Sequence, residues 1–168
     1  YQDMLMREQQ HPQRADFVAV VTPNASHFPI VKMAVEQGFH VICDKPATAT
    51  LEEALTLESV LGRTSQLYAL TYTYSGYALV REARALCRSG ALGAIRKAVV
   101  EYSQGWLSER IELADNKQAA WRTDPSQAGS GGCVGDIGVH AFNLLEFITG
   151  REVVELCAQL SSVVSGRV

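Results

Sequence analysis

Gly38-Phe39-His40-Val41-Ile42-Cys43-Asp44-Lys45-Pro46 contains a short apolar run, Phe39 to Cys43, with a lysine just past its carboxyl end and a proline that fixes the backbone behind it. A helix-start signal follows, Thr50-Leu51-Glu52-Glu53, in which Thr50 and Glu53 form a capping box for a helix reaching about Leu61 and ended by Gly62. Upstream, Phe17-Val18-Ala19-Val20-Val21 is a second apolar run without alternation, the pattern of a parallel strand covered on both faces. Thr22-Pro23-Asn24 stops it. Between the two runs Ile30, Val31, Ala34 and Val35 recur at helical spacing within 26–37, and Gly38 suits a left-handed cap. Strand, helix, strand is a βαβ unit of right-handed connection. Its strand-end loops are where open α/β sheets bind ligands, and Lys45 sits there.

Working outward, residues 4–10 are polar and helix-permissive and Pro12 closes them off, while Tyr1-Gln2-Asp3-Met4 reads as the middle of a helix rather than a natural start. Leu67 to Tyr72 is a further β-prone run. Leu79, Val80, Ala83, Leu86 and Cys87 trace a helix ending at Gly90, and Gly93 marks a turn before a strand over 95–103. The stretch 104–132 is long, polar and rich in Gly, Ser, Asp and Asn, with Trp106 and Trp121 embedded, which predicts an ordered functional loop. Ile137, Ala141, Leu144, Leu145 and Ile148 form a helical stripe capped by Gly150. Val154, Leu156, Ala158 and Leu160 then alternate with Glu155, Cys157, Gln159 and Ser161, the signature of a half-covered strand in an antiparallel or mixed sheet. The change of pattern predicts a boundary near 72–75, dividing the chain into 1–73 and 74–168.

With 47% apolar and 20% charged residues the composition is that of an ordinary globular protein. A net charge of −3, without clustered Lys and Arg, gives no electrostatic case for nucleic acid or an anionic membrane, which leaves small molecules as the expected partners. Cys43, Cys87, Cys133 and Cys157 lack C-x-x-C or zinc spacing and read as reduced thiols of a cytoplasmic protein.

Asp136 and His140 are four apart, so on the predicted helix they face one way, and Gly129-Ser130-Gly131-Gly132 before them lets the backbone approach a ligand closely. Such a pair can transfer protons, with the imidazole as base and the carboxylate as orienter or substrate ligand. Taken alone, each has a plainer reading: a cap for the aspartate, a structural role for the histidine, and for Lys45 a solvated charge. Cys133 is the only nearby soft ligand, too little for a metal site. Thr22-Pro23-Asn24-Ala25-Ser26-His27 reads equally as a turn with an Asn cap or as the second polar loop of the crevice that Lys45 enters.

The order Thr22-Pro23-Asn24-x-x-His27, then 38–46 as quoted, then Gly90-Ala91-Leu92-Gly93, then Gly131-Gly132-x-x-x-Asp136-x-Gly138-x-His140 resembles the Gfo/Idh/MocA oxidoreductases. Each motif is weak by itself, and four in the right order are specific. The resemblance implies the carboxyl-terminal half of a Rossmann parallel sheet followed by part of an α/β domain with an open, mainly antiparallel sheet. It implies NAD or NADP as cofactor, a sugar, cyclitol or similar polyol as substrate, and a homo-oligomer formed through the second-domain sheet. It implies Lys45 beside the nicotinamide and bonded to the reacting hydroxyl, His140 as general base, Asp136 as substrate ligand, and Thr22, Pro23, Asn24, His27, Asp44, Trp121 and Arg122 along the cofactor. Asp44 stands where the family commonly has glutamate, and the family's amino-terminal strand and glycine-rich phosphate loop have no counterpart in these residues. Other readings are an NAD-using glycoside hydrolase of the same superfamily and a non-catalytic fragment. Net reduction of cofactor separates the first from both.

Overall fold

A computed structural model describes residues 1–167. Three parallel strands, β1 (Phe17–Val20), β2 (His40–Asp44) and β3 (Tyr68–Thr71), form a sheet in the order β1-β2-β3. Phe17 to Val20 pair with His40 to Cys43, and Val41 to Asp44 with Tyr68 to Thr71. Helix α1 (Gln2–Gln9) precedes the sheet, α2 (His27–Glu36) joins β1 to β2 after a 3-10 turn at Asn24–Ser26, and α3 (Leu51–Leu61) joins β2 to β3. The expected capping box is present: Glu53 N donates to Thr50 Oγ1 at 3.2 Å, and Thr50 N donates to Glu53 Oε2 at 3.3 Å. Gly38 turns the chain out of α2 at φ 82°, a left-handed angle costly to any residue with a Cβ.

One face of the sheet carries the core. Val20, Val41 and Cys43 point down onto Leu5, Ile30, Val31, Ala34, Val35, Phe39 and Leu57. The opposite face is open, with Phe17 52% and Ile42 38% exposed. Among the described residues α1, α2 and α3 supply apolar cover to one side of the sheet, and the cover expected on the other side is not among them. Leu57 is the one fully enclosed residue of α3, so truncating it to alanine costs about 2–5 kcal/mol.

Beyond β3 the chain makes a 3-10 turn (Thr73–Gly76) and enters α4 (Ala78–Arg88), which packs against α7 (Val139–Thr149), with the Arg84 guanidinium 4.1 Å from the Phe147 ring centroid. The long polar stretch is not a plain loop. It contains a 3-10 turn at Ile111–Leu113, helix α5 (Lys117–Arg122) capped by Asn116, and helix α6 (Pro125–Ala128) capped by Asp124. Strands expected over 95–103 and 154–160 are not formed. Both segments lack ladder partners among the described residues, and Val99, Val154, Leu156 and Leu160 lie 76%, 90%, 72% and 74% exposed. Among the described residues after β3 only Ala119 and His140 are buried, so the apolar core described lies in the first half of the chain.

Candidate functional site

β2 ends at Asp44, whose Oδ1 accepts a bond from Thr71 Oγ1 of β3 at 2.7 Å. Lys45 follows, and its peptide bond to Pro46 is cis. Its ammonium crosses to the second half of the chain, where it bonds Asp136 Oδ1 at 2.8 Å and the Asp136 backbone carbonyl. Both side chains are largely enclosed, 18% and 23% exposed. Asp136 lies in a π-helical turn, Val134–Gly138, that runs straight into α7. Such widened turns in α-helices are frequent at functional sites. Arg122 Nε stands 3.5 Å from the other carboxylate oxygen of Asp136, and its guanidinium lies over the Trp121 ring at 4.2 Å.

His140 is the second residue of α7, two past the end of the π turn, and is 8% exposed. The Tyr74 ring packs on it at 4.6 Å between centroids, and Tyr72 meets it edge-on at 6.0 Å. Burial lowers the imidazole pKa below its ordinary 6.5; the Lys45 ammonium pushes the same way and the Asp136 carboxylate opposes. Burial and the ammonium thus favour the neutral ring. Lys45, Asp136 and His140, separated by up to 95 positions in sequence, thus share one electrostatic neighbourhood at the carboxyl edge of the sheet.

The remaining expected residues divide into two groups. Thr22 and Pro23 are exposed at the end of β1, and Trp121 and Arg122 are half-buried beside Asp136. Asn24 and His27 are turned inward. Asn24 Nδ2 donates to the Ala128 carbonyl at 2.8 Å, and His27, fully buried, places Nδ1 2.8 Å from the Pro46 carbonyl and Nε2 2.8 Å from that of Thr22. A second link between the halves is steric. Gly129, just past α6, lies so close to Ala49 that a Cβ there would sit 2.7 Å from the Ala49 carbonyl oxygen.

A cavity of about 460 Å³ opens on Asp136 and Arg122 and is walled by Gln104, Ile137 and Val163. Its far wall is held by Arg167, which pairs with Glu112 at 2.6 Å and reaches the Leu107 and Glu109 carbonyls. That pairing drops the Glu112 carboxyl to about 2. Tyr74 and Tyr72 were missed from sequence. Their position just after β3, at the carboxyl edge, was the available signal. Tyr74 also bonds Tyr102 through the two hydroxyls at 2.6 Å, which contributes most to raising its pKa to about 12.

The family profile described as the GFO/IDH/MocA C-terminal domain matches residues 80–168, and that of the oxidoreductase family with NAD-binding Rossmann fold matches 1–72. The chain belongs to the Gfo/Idh/MocA family. The uncharacterized oxidoreductase YfiI of Bacillus subtilis is 30% identical over 99% of this chain and 43% of its own length. Levoglucosan dehydrogenase of Pseudarthrobacter phenanthrenivorans is 30% identical over 80% of the chain and 33% of its own. Among solved structures, an inositol dehydrogenase homolog from Azotobacter vinelandii complexed with NAD+ superposes with a TM-score of 0.85 at 37% identity, over 89% of this chain and 38% of that one. The chain spans less than half the length of these relatives. Among the described residues, no helix is long and apolar enough to cross a membrane.

Proposed function

We propose that the protein is an NAD(P)-dependent oxidoreductase that moves a hydride between a nicotinamide cofactor and the hydroxyl-bearing carbon of a sugar, cyclitol or similar polyol. The observation that carries it is the meeting of Lys45, Asp136 and a neutral, buried His140 at the carboxyl edge of a parallel sheet, beside a cavity of about 460 Å³. The donor set fits the nicotinamide end of a dinucleotide: exposed Thr22 and Pro23 at one strand end, the Lys45 ammonium at the next, and the flat Trp121–Arg122 stack beside Asp136. Bound there, the cofactor supplies the hydride acceptor or donor.

The chain's own residues handle the proton and the charge. His140, neutral because burial and the Lys45 charge disfavour the imidazolium, takes the hydroxyl proton. The Lys45 ammonium donates to the oxygen as it gains alkoxide character, in a partly enclosed site where such a bond is worth more than in water. Asp136 holds that ammonium in place and offers an acceptor to a second substrate hydroxyl.

We assign residues 1–73 to the cofactor domain and 74–168 to a substrate domain, supported by family profiles that end at 72 and begin at 80. An open, mainly antiparallel sheet in the second domain, receiving 95–103 and 154–160 as strands, accounts for the alternation and exposure of those segments. A homo-oligomer through that sheet would cover the same apolar side chains. Four free thiols suit a cytoplasmic protein.

The test is to screen polyols and sugars with NAD and with NADP in the full-length protein, following reduced-nicotinamide absorbance. Lys45→Ala and His140→Ala are expected each to lower turnover by roughly two to four orders of magnitude with folding intact. Wild-type rates in both variants, or hydrolysis without net cofactor reduction, refute the assignment.

A further inference from the structure

Lys45 is useful only if its ammonium is held, and the backbone on both sides of it is pinned. On the amino side, Asp44 is fixed by the β2–β3 ladder and by Thr71 Oγ1 at 2.7 Å. On the carboxyl side, the Pro46 carbonyl lies 2.8 Å from Nδ1 of His27, whose Nε2 lies 2.8 Å from the Thr22 carbonyl. The His27 ring therefore spans the loop after β1 and the loop after β2. One ring N–H satisfies one carbonyl in either tautomer, and the doubly protonated ring satisfies both. With no exposed surface, His27 offers nothing to a bound ligand. Its place at the start of α2, on a helix seated in the core, gives both loops a common rigid anchor.

We infer that His27 is a positioning residue for Lys45: wedged between the Thr22 and Pro46 carbonyls, and donating an N–H to one of them or, doubly protonated, to both, it fixes the Lys45 backbone so that the ammonium meets Asp136 and, on the dehydrogenase reading this rests on, the reacting hydroxyl. Removing the bridge frees the Pro46 side of the loop. A displacement of about 1 Å at a reacting group costs on the order of a hundredfold in rate.

The experiment is a double-mutant cycle in the full-length protein, with His27→Ala, Lys45→Ala and the pair, read through turnover at saturating cofactor and substrate and through dinucleotide affinity. His27→Ala is expected to lower turnover by at least about tenfold, to leave dinucleotide affinity within about threefold, and to cost nothing further when Lys45 is already alanine. His27→Gln, which restores one donor, is expected to recover part of the loss, and it replaces His27→Ala in the cycle should the alanine variant not fold. A readout without cofactor accompanies these: labelling by an amine-reactive reagent, read by mass spectrometry, should rise several-fold at Lys45 relative to Lys32, a more exposed lysine on α2 with 38% of its side chain accessible. Weakened dinucleotide binding with unchanged saturated turnover makes His27 a cofactor residue and overturns the inference. An equal loss in the Lys45→Ala background, or unchanged labelling of Lys45, also overturns it. Wild-type turnover in Lys45→Ala alone removes the role of Lys45 and overturns the inference, whereas failure of the wild-type protein to reduce NAD or NADP with any polyol or sugar refutes the dehydrogenase reading itself, so the two failures are told apart.

Discussion

Substituting alanine for Gly129 tests whether the two halves of the chain are locked together at the site. Gly129 holds φ 84° and ψ 171°, a region essentially confined to glycine and worth about 1–3 kcal/mol of strain for any other residue. The new Cβ would also lie 2.7 Å from the Ala49 carbonyl oxygen and 3.3 Å from its Cα. Backbone has to retreat, and overpacking of this kind costs about 1–3 kcal/mol more. Together, at about 2–6 kcal/mol, they predict a melting temperature lowered by roughly 4–24 °C, at about 2–4 °C per kcal/mol for a unit of 150–250 residues. Ala49 lies four positions after Lys45, so the retreat also draws the ammonium from Asp136 and lowers turnover. Gly90→Ala is the control: its φ is 75° and nothing lies within 4 Å of the added Cβ, so it carries only the left-handed penalty, about 1–2 kcal/mol. Thermal unfolding and turnover of both variants decide the matter. If Gly129→Ala melts no lower than Gly90→Ala and turns over like wild type, the contact between Gly129 and Ala49 is not a constraint on the site.

His140 must be neutral to accept a proton, so the rate of alcohol oxidation should hold through neutral pH and fall on the acid side with a midpoint below 6.5. Asp136 is the one charge holding that midpoint up, so the residual activity of Asp136→Asn should show its acid limb at lower pH than wild type; a shift to higher pH would contradict the electrostatics described. Glu112, held at about 2 by Arg167, keeps its ion pair from neutral pH down to near that value, and the associated stabilisation, complete above the ordinary value of 4.5, is lost progressively as pH falls from there through about 2. Glu112→Gln should therefore speed amide hydrogen exchange across 161–167, the wall of the cavity, with little change in exchange within β1, β2 and β3.

The first half of the fold was legible because its signals are local. Thr50 and Glu53 cap each other across one helical turn, and Ile30, Val31, Ala34 and Val35 mark the face of α2 that enters the core. What the apolar runs leave open is which face the described helices take: Phe17–Val20 states that both faces tolerate burial, while α1, α2 and α3 cover the Val20 and Val41 side and leave Ile42 partly exposed. The second half depends on partners at a distance. Alternation over 154–160 gives a preference for extended backbone, but a strand exists only where another chain segment completes its ladder. Asn116 and Asp124-Pro125 were available as helix starts within 104–132, yet α5 and α6 are each under two turns, too short to stand out from a Gly- and Ser-rich background.

The site shows the same division between residue and orientation. Lys45 could be located from β2 alone, since any residue after that strand reaches the carboxyl edge, and the Asp136-to-His140 spacing placed both on one helical surface. The π turn that presents the Asp136 carbonyl as well as its carboxylate to the ammonium leaves no mark in sequence, because the same residues can form an α turn. His27 is the sharper case. A histidine four residues beyond a Thr-Pro turn at a cofactor crevice invites assignment to the cofactor, but its ring has no accessible surface and a carbonyl oxygen lies 2.8 Å from each nitrogen. Which way such a side chain turns is settled by the two carbonyls it can reach, one of them nineteen residues away, and only the folded backbone brings them together.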